Sequence, residues 1–449
     1  MAVSLIVLAA GQGTRMNSDR PKVLHEIGGA PLVVHAMKTG AALTPDRTVV
    51  VTGTGAAEVE SAVQDWNPDA ICVRQEPQLG TGHAVLQARD ALAGVAGDAI
   101  VLYGDTPFIT PETLDRMRDA RRGHAIVVLG FQPADPGRYG RLVTEGDILT
   151  RIVEWKDADE ATRAIGLCNS GVVCADAALL MDLLSAVTND NAAGEYYLTD
   201  IVEIAAARGL TSTVVTCPAD ETLGINTRAE LAAAEALFQS RARATLTDDG
   251  VTFVAPETVF LAHDTVIGRD AVIEPHVVFG PGVTVESGAR IRAFSHLEGC
   301  HVSRGAIVGP FARLRPGAEL AEDVHVGNFV EIKNAIIDEG AKINHLSYVG
   351  DADVGARTNI GAGTITCNYD GVFKHRTTIG KGAFIGSDTM LVAPVRVGDG
   401  AMTATGSVIT ADVPAAALGV ARARQSNLPG FAEKFFTRLR ALKSKGERP

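Results

Sequence analysis

Ile267-Gly-Arg-Asp-Ala-Val, Ile273-Glu-Pro-His-Val-Val, Phe279-Gly-Pro-Gly-Val-Thr, Val285-Glu-Ser-Gly-Ala-Arg, Ile291-Arg-Ala-Phe-Ser-His, Leu297: one large apolar side chain stands at every sixth position of residues 267–297. The frame shifts by one residue and resumes at Val302, Val308, Leu314, Leu320, Val326 and Ile332. It shifts again to Ile337, Ile343 and Val349, then to Val354 and Ile360, and after a break returns at Ile379, Ile385, Leu391 and Val397. An α-helix needs a period near 3.6 and a plain strand a period of two. A six-residue step predicts short strands joined by tight turns and stacked as a parallel solenoid, with one aliphatic side chain per step in a narrow core. A glycine often follows the apolar residue, as at Gly268, Gly280, Gly327 and Gly386. These glycines are expected to supply turn conformations that other residues resist. The spacing alone does not fix the hand of the coil.

Outward from this stretch, glycine marks where the repeat begins. Residues 251–420 hold 22 of the 47 glycines. Upstream the pattern changes. Val3–Ala10 is a continuous apolar run of the kind buried on both faces of a parallel sheet, and Thr48–Thr52, Ala99–Tyr103 and Ala125–Leu129 resemble it. Helical stretches such as Pro111–Arg122 lie between them, which predicts an α/β sheet covered by helices. Thr227-Arg-Ala-Glu230 is a capping box that opens a helix to about Leu246. The expected organisation is an α/β domain over 1–226, a helical linker over 227–247, and the solenoid with its tail over 248–449. The tail from Ala421 carries eight Lys/Arg and two acids, including an amphipathic stretch around Phe431–Leu442.

Composition narrows the function classes. Hydrophobic residues make up 46%, too many for a disordered chain, and no apolar run reaches the roughly 18 residues needed to span a bilayer. Val3–Ala10 lacks a basic flank and runs into a glycine loop, so no signal peptide is expected. The net charge of −12 argues against a nucleic-acid partner. Six cysteines with no C-x-x-C suit a reduced, cytoplasmic protein.

The first strand leads into Leu8-Ala-Ala-Gly11-Gln-Gly13-Thr14-Arg15-Met16, with Pro21-Lys22 beyond. A glycine loop after a buried strand can turn amides toward an anion, and Arg15 and Lys22 can neutralise phosphate. The spacing is neither the dinucleotide nor the P-loop fingerprint. Asp105, in Tyr103-Gly104-Asp105-Thr106-Pro107, follows a buried strand. An acid there either caps a helix or holds Mg²⁺ beside phosphates. Gln75 and Gly80-Thr81-Gly82-His83 form a second glycine loop whose backbone could read a base edge.

Together these pieces, with Y-G-R (139–141), V-E-W-K-D (153–157), C-N-S-G (168–171) and G-E-Y-Y-L-T-D (194–200), resemble the sugar-nucleotide pyrophosphorylase family across residues 3–226. The resemblance implies a Rossmann-like nucleotidyltransferase domain that binds UTP and a hexose 1-phosphate. Gly11, Arg15 and Lys22 would hold the triphosphate, and Gln75, Gly80 and Thr81 would face uracil. Gly140, Glu154, Asn169 and either Tyr197 or Thr199 would hold the sugar, and Leu8, Ala9, Ala10, Tyr103 and Gly104 would belong to the same nucleotide-sugar site. Asp105 and Asn226 would carry Mg²⁺. Attack by a phosphate oxygen on the α-phosphorus needs charge neutralisation and alignment more than a base.

The solenoid carries Arg313-Leu-Arg315-Pro, Glu331-Ile-Lys333-Asn334 and His345-Leu-Ser-Tyr348. Arg315 and Lys333 are 18 residues apart, or three six-residue steps. If three steps make one coil, the two cations stack, and an anionic ligand between them relieves their repulsion. His345 is 12 residues beyond Lys333, one corner short of a coil, but could meet that site across a subunit boundary. Cationic neighbours would favour the neutral imidazole that a general base requires. Ile360-Gly-Ala-Gly-Thr-Ile-Thr-Cys-Asn368-Tyr369-Asp-Gly then opens an insertion that ends near Thr378.

These motifs, with the order of the domains, identify the chain as resembling the family of bacterial bifunctional N-acetylglucosamine-1-phosphate uridylyltransferases/glucosamine-1-phosphate N-acetyltransferases over nearly its full length. The resemblance implies a left-handed parallel β-helix of hexapeptide repeats, a homotrimer, and acetyl transfer between subunits. His345 would be the general base. Arg315, Lys333, Tyr348 and Asn359 would bind the sugar phosphate. Asn368 and Tyr369 would lie beside it and, with Ala362, Ser387, Thr405 and Arg422, contact acetyl-CoA. Arg424 competes with Arg422 for that contact. The rival expectation is a single-activity pyrophosphorylase whose β-helix only assembles or regulates.

Overall fold

The computed structural model describes residues 2–446. Met1 and the last three residues of the basic tail, Glu447, Arg448 and Pro449, lie outside them. The described chain divides into two compact units: residues up to Thr245 together with Leu261–His263, and Leu246–Phe260 together with the residues from Asp264 onward.

The first unit is built on a nine-stranded sheet. Its main path runs Ser212–Cys217, Ile126–Phe131, Cys168–Asp176, Asp98–Tyr103, Val3–Ala9, Arg47–Thr52, Ile71–Arg74. All seven residues of the first strand are buried. Ile6 and Leu8 feed one core, and Val3, Leu5 and Val7 feed the other. Helices therefore cover both faces, which is why these strands read as unbroken apolar runs. Cys168–Asp176 is an antiparallel strand within this otherwise mainly parallel path. It pairs antiparallel with both of its neighbours on the main path, so its first residues lie at the edge where the parallel strands end.

Thr227 and Glu230 close the expected capping box. The Glu230 amide donates to Thr227 Oγ1 at 3.2 Å, and the Asn226 and Thr227 amides each donate to Glu230 Oε2 at 2.8 Å. The helix that follows spans Arg228–Asp248.

The second unit is a β-helix of two- to seven-residue strands in parallel register. Val266 pairs with Thr284 and Arg313 with Glu331, a coil of 18 residues, whereas Glu331 pairs with Tyr348, a coil of 17. The one-residue shifts in the sequence frame are these shorter coils. Every predicted apolar step from Ile267 to Val397 is at most 5% exposed.

The role expected of the glycines needs correction. Gly268, Gly327 and Gly386 are absent from the left-handed backbone positions. They are required because the next coil passes too close: a Cβ on Gly268 would lie 2.6 Å from the Ser287 amide nitrogen. Many left-handed corners carry side chains instead. His276, Phe294, Phe311, Phe329 and Leu346 all have φ between 50° and 60°. The first four stack as rings 4.8–5.3 Å apart along one edge. The predicted C-terminal amphipathic helix forms over Phe431–Ser444; none of its residues is buried, and only Leu439 and Leu442 are half-buried. Among the described residues no helix is long and apolar enough to cross a membrane.

Candidate active sites

Four neighbouring parallel strands end at one edge of the first sheet, where α/β proteins place their ligands. Val3–Ala9 leads into Gly11, Ile71–Arg74 into Gln75, and Asp98–Tyr103 into Gly104 and Asp105. A cavity of about 350 Å³ opens there, lined by Leu8, Ala10, Gly11, Lys22, Gln75, Gly80, Thr81, Tyr103 and Asp105. Gln78 and Glu195 also line it, and neither was singled out as a site residue from the sequence.

Lys22 is the centre of the charge arrangement. Its ammonium donates to Asn226 Oδ1 at 3.0 Å and is ion-paired with Asp105. An oxygen from each of two segments 121 residues apart (226 − 105) thus converges on one cation. That is the chemistry a divalent ion would use, with the ammonium as its stand-in. Two protein oxygens leave most of an octahedral shell to phosphates and water, as Mg²⁺ commonly prefers. The alternative role for Asp105 is not seen: the nearest following helix begins at Pro111 and is capped by Thr110.

The loop that carries Gln75, Gly80 and Thr81 is held by its own contacts. Gln75 Nε2 donates to the Gly80 carbonyl at 2.9 Å. Thr81 Oγ1 accepts from the Leu198 amide at 3.0 Å. Gly80 has φ 110°, and a Cβ there would lie 2.6 Å from the Tyr196 carbonyl oxygen, so only glycine fits.

A second group gathers beside the cavity. The Asn169 amide donates to the Gly140 carbonyl at 2.9 Å, a Cβ on Gly140 would lie 3.4 Å from the Glu154 carboxylate, and Thr199 Oγ1 donates to Glu154 at 3.5 Å. Burial raises the Glu154 pKa above the ordinary carboxylate range. Tyr103 joins the two groups. Its ring occupies the space that a Cβ on Gly171 would need, and burial, then Glu154 and Asp105, push its phenol pKa up. Tyr197 is pushed up to about 12, by burial first and then by Asp157 and Glu154. Two expected residues stand apart from the cavity: the Ala9 side chain is buried in the core, and Arg15 is exposed on the one-turn helix Thr14–Met16. The Gly104 amide donates to the Leu8 carbonyl at 2.9 Å, which holds the two strand ends together.

On the β-helix, Arg315, Lys333, Tyr348 and Asn368 come together on one face. The stacked cations are not bare, which corrects the expectation that only a ligand relieves them. Arg315 Nη1 donates to Glu331 at 2.9 Å, and Lys333 lies 3.8 Å from Asp351. Asp351 is 6% exposed, accepts from Asn334 at 2.6 Å, and is also bonded by Asn368. Burial alone would raise the Asp351 pKa, but these amides and Lys333 together hold it below the usual range. Asn368 Nδ2 also donates to the Tyr348 hydroxyl at 3.4 Å. Lys374, on the insertion, is a cation the sequence reading missed, and the adjacent Lys333 ammonium lowers its pKa.

His345 and Asn359 lie elsewhere. Their strands, Lys342–His345 and Asn359–Ile360, belong to a different sheet from Glu331–Ile337 and Tyr348–Val354. His345 lines a groove of about 280 Å³ with Arg292, Pro310, Phe311, Asn328 and Phe329. Its hydrogen-bond partner is the Asn328 amide, at 2.7 Å, rather than a cation. Ala362, Ser387 and Thr405 stack in consecutive coils: the Asp388 amide donates to the Ala362 carbonyl at 2.7 Å, and the Gly406 amide to the Ser387 carbonyl at 2.8 Å. Tyr369, Arg422 and Arg424 are exposed.

An α/β sheet with a cation held at its carboxyl edge, followed by a hexapeptide β-helix bearing a second polar cluster, defines a nucleotidyltransferase joined to a hexapeptide-repeat transferase. Residues 5–167 match the MobA-like NTP transferase domain, and residues 264–299 match the bacterial transferase hexapeptide (six repeats). Over 98% of its length the chain is 67% identical to the bifunctional protein GlmU of Jannaschia sp. (strain CCS1), covering 97% of that protein. It is 68% identical to the protein of the same name from Dinoroseobacter shibae, covering 99% of each chain, and 64% identical to that of Roseobacter denitrificans, covering 100% of each. The chain belongs to the bifunctional protein GlmU family and is a uridylyltransferase and acetyltransferase whose second unit is a left-handed β-helix.

Proposed function

We propose that the chain makes UDP-N-acetylglucosamine in two steps. The β-helix (248–449) transfers acetyl from acetyl-CoA to glucosamine 1-phosphate. The first domain (1–226) then transfers UMP from UTP to N-acetylglucosamine 1-phosphate and releases pyrophosphate, with 227–247 as the link. These substrates place the protein in the cytoplasm.

The observation that carries the first half is the Lys22 ammonium held between Asp105 and Asn226 at the strand edge. Asp105 and Asn226 would hold Mg²⁺, which when bound neutralises the phosphates and sets their geometry. Lys22, released from its carboxylate, reaches the triphosphate, while the Gly11 loop turns its amides toward it. Gln75 keeps its side-chain oxygen free for a base N–H, because its NH₂ group is already given to Gly80. Glu154, Asn169 and Thr199 line up to bind sugar hydroxyls, so the sugar phosphate oxygen approaches the α-phosphorus in a fixed line.

On the β-helix, Arg315, Lys333 and Lys374 bind the sugar phosphate beside Tyr348 and Asn368. His345 accepts the proton as the amine attacks the thioester carbonyl, and the C–S bond breaks to release coenzyme A. His345 and Asn359 sit on a different sheet from that cluster, which favours sites completed by a neighbouring subunit and so a homotrimer. Ala362, Ser387, Thr405 and the basic tail at Arg422 face acetyl-CoA.

Asp105→Asn tests the metal assignment. Uridylyl transfer, followed as pyrophosphate release, falls by about 100-fold or more, while acetyl transfer, followed as free thiol, is unchanged. Full uridylyl transfer in this variant contradicts the assignment.

A further inference from the structure

We infer that Asn328 is a positioning residue for acetyl transfer: its side-chain oxygen accepts the Nδ1 proton of His345 and leaves Nε2 as the unprotonated nitrogen. The inference rests on His345 being the general base.

The geometry is set by the backbone. The strands His325–Asn328 and Lys342–His345 pair in parallel, with Asn328 directly opposite His345. The two coils touch at this point because residue 327 is glycine; a Cβ there would collide with the Asn344 carbonyl. Asn328 Oδ1 lies 2.7 Å from His345 Nδ1. The rest of the histidine is held as well. Ser347 Oγ donates to the His345 carbonyl at 2.9 Å, and Leu346 fixes the corner with φ 50°.

Chemistry then assigns the tautomer. A neutral imidazole has one N–H and one lone pair, and a nitrogen facing a carbonyl-type acceptor carries the proton. Nε2 is left with the lone pair. As the amine nitrogen bonds to the thioester carbon, its proton passes to Nε2. The thiolate leaves and takes up a proton, and Nδ1–H stays on Asn328 throughout. The amide oxygen that fixes the tautomer also stabilises the imidazolium that forms.

The test uses the full chain with Asn328→Ala, Asn328→Asp and His345→Ala. Acetyl-transfer kcat and KM are measured across pH, with uridylyl transfer as the folding control. Asn328→Ala should lower acetyl-transfer kcat by about 10- to 100-fold, with KM for both substrates held within about 2-fold. Asn328→Asp, still an acceptor, should retain most of the activity and move the acid limb of the pH profile upward, because a carboxylate favours imidazolium. The inference is overturned if Asn328→Ala leaves kcat unchanged, or if Asn328→Asp is as inactive as Asn328→Ala, which would mean that the amide donates to the ring. Undiminished acetyl transfer in His345→Ala would instead remove the base assignment itself. If Asn328→Ala also loses uridylyl transfer, it has misfolded, and the pH profile of Asn328→Asp decides.

Discussion

Lys22, Asp105 and Asn226 are far apart in the chain; Lys22 and Asp105 were legible as candidates because a cation and an acid beside strand-end loops suit phosphate and metal chemistry, whereas Asn226 was suggested only by the family resemblance. Their contact was not legible, since it depends on which strands become neighbours. Glu331 and Asp351 were missed for a related reason. A carboxylate beneath a cation is invisible until the coils are stacked, and it changes the meaning of two aligned positive residues. Asp200 carries a prediction at this scale. Burial, then Glu203 and Asp157, raise its carboxyl pKa to about 6. A raised carboxyl pKa means that the folded state holds the proton more tightly than the unfolded state. Stability from this group is therefore present at low pH and lost as pH rises through about 4 to 6. Asp200→Asn should stabilise the first unit by about 1–2 kcal/mol near pH 7, after allowance for partial solvent screening, and by little near pH 4. Thermal unfolding at both values checks this; an equal gain at both pH values contradicts it.

At the scale of elements, the six-residue step was readable because two-residue strands such as Val266–Ile267 and Arg290–Ile291 each bury one aliphatic side chain. The slips in frame corresponded to coils of 17 rather than 18 residues. What could not be read was why glycine follows the apolar residue. Close approach between coils leaves no trace in a single sequence, whereas turn propensity does, and the latter misled. The direction of the strand Cys168–Asp176 was hidden in the same way, because it depends on which strands become its neighbours. Gly327→Ala tests the close-approach account. The added methyl meets the Asn344 carbonyl, forces the two coils apart, and displaces Asn328 from His345. Acetyl transfer should fall by about 10-fold or more and the β-helix should lose about 1–3 kcal/mol, while uridylyl transfer is unaffected. A variant with normal acetyl transfer and normal stability contradicts the account.

At the scale of the molecule, two compact units carry two chemistries, uridylyl transfer and acetyl transfer; in the proposed assignment the first relies on cations and amides and the second on an imidazole. Candidate residues for both could be named from the sequence, because they cluster in recognisable motifs. The proposed sharing of the second site between subunits starts from the 12-residue offset of His345 from Lys333 in the sequence. The most direct measurement supplies the purified chain with glucosamine 1-phosphate, acetyl-CoA and UTP, omits each in turn, and repeats the series with His345→Ala. The account predicts UDP-N-acetylglucosamine and pyrophosphate only when all three are present. It further predicts that His345→Ala makes that product only when N-acetylglucosamine 1-phosphate is supplied directly. Product formed without acetyl-CoA from the unacetylated sugar, or undiminished synthesis by His345→Ala from glucosamine 1-phosphate, would contradict it.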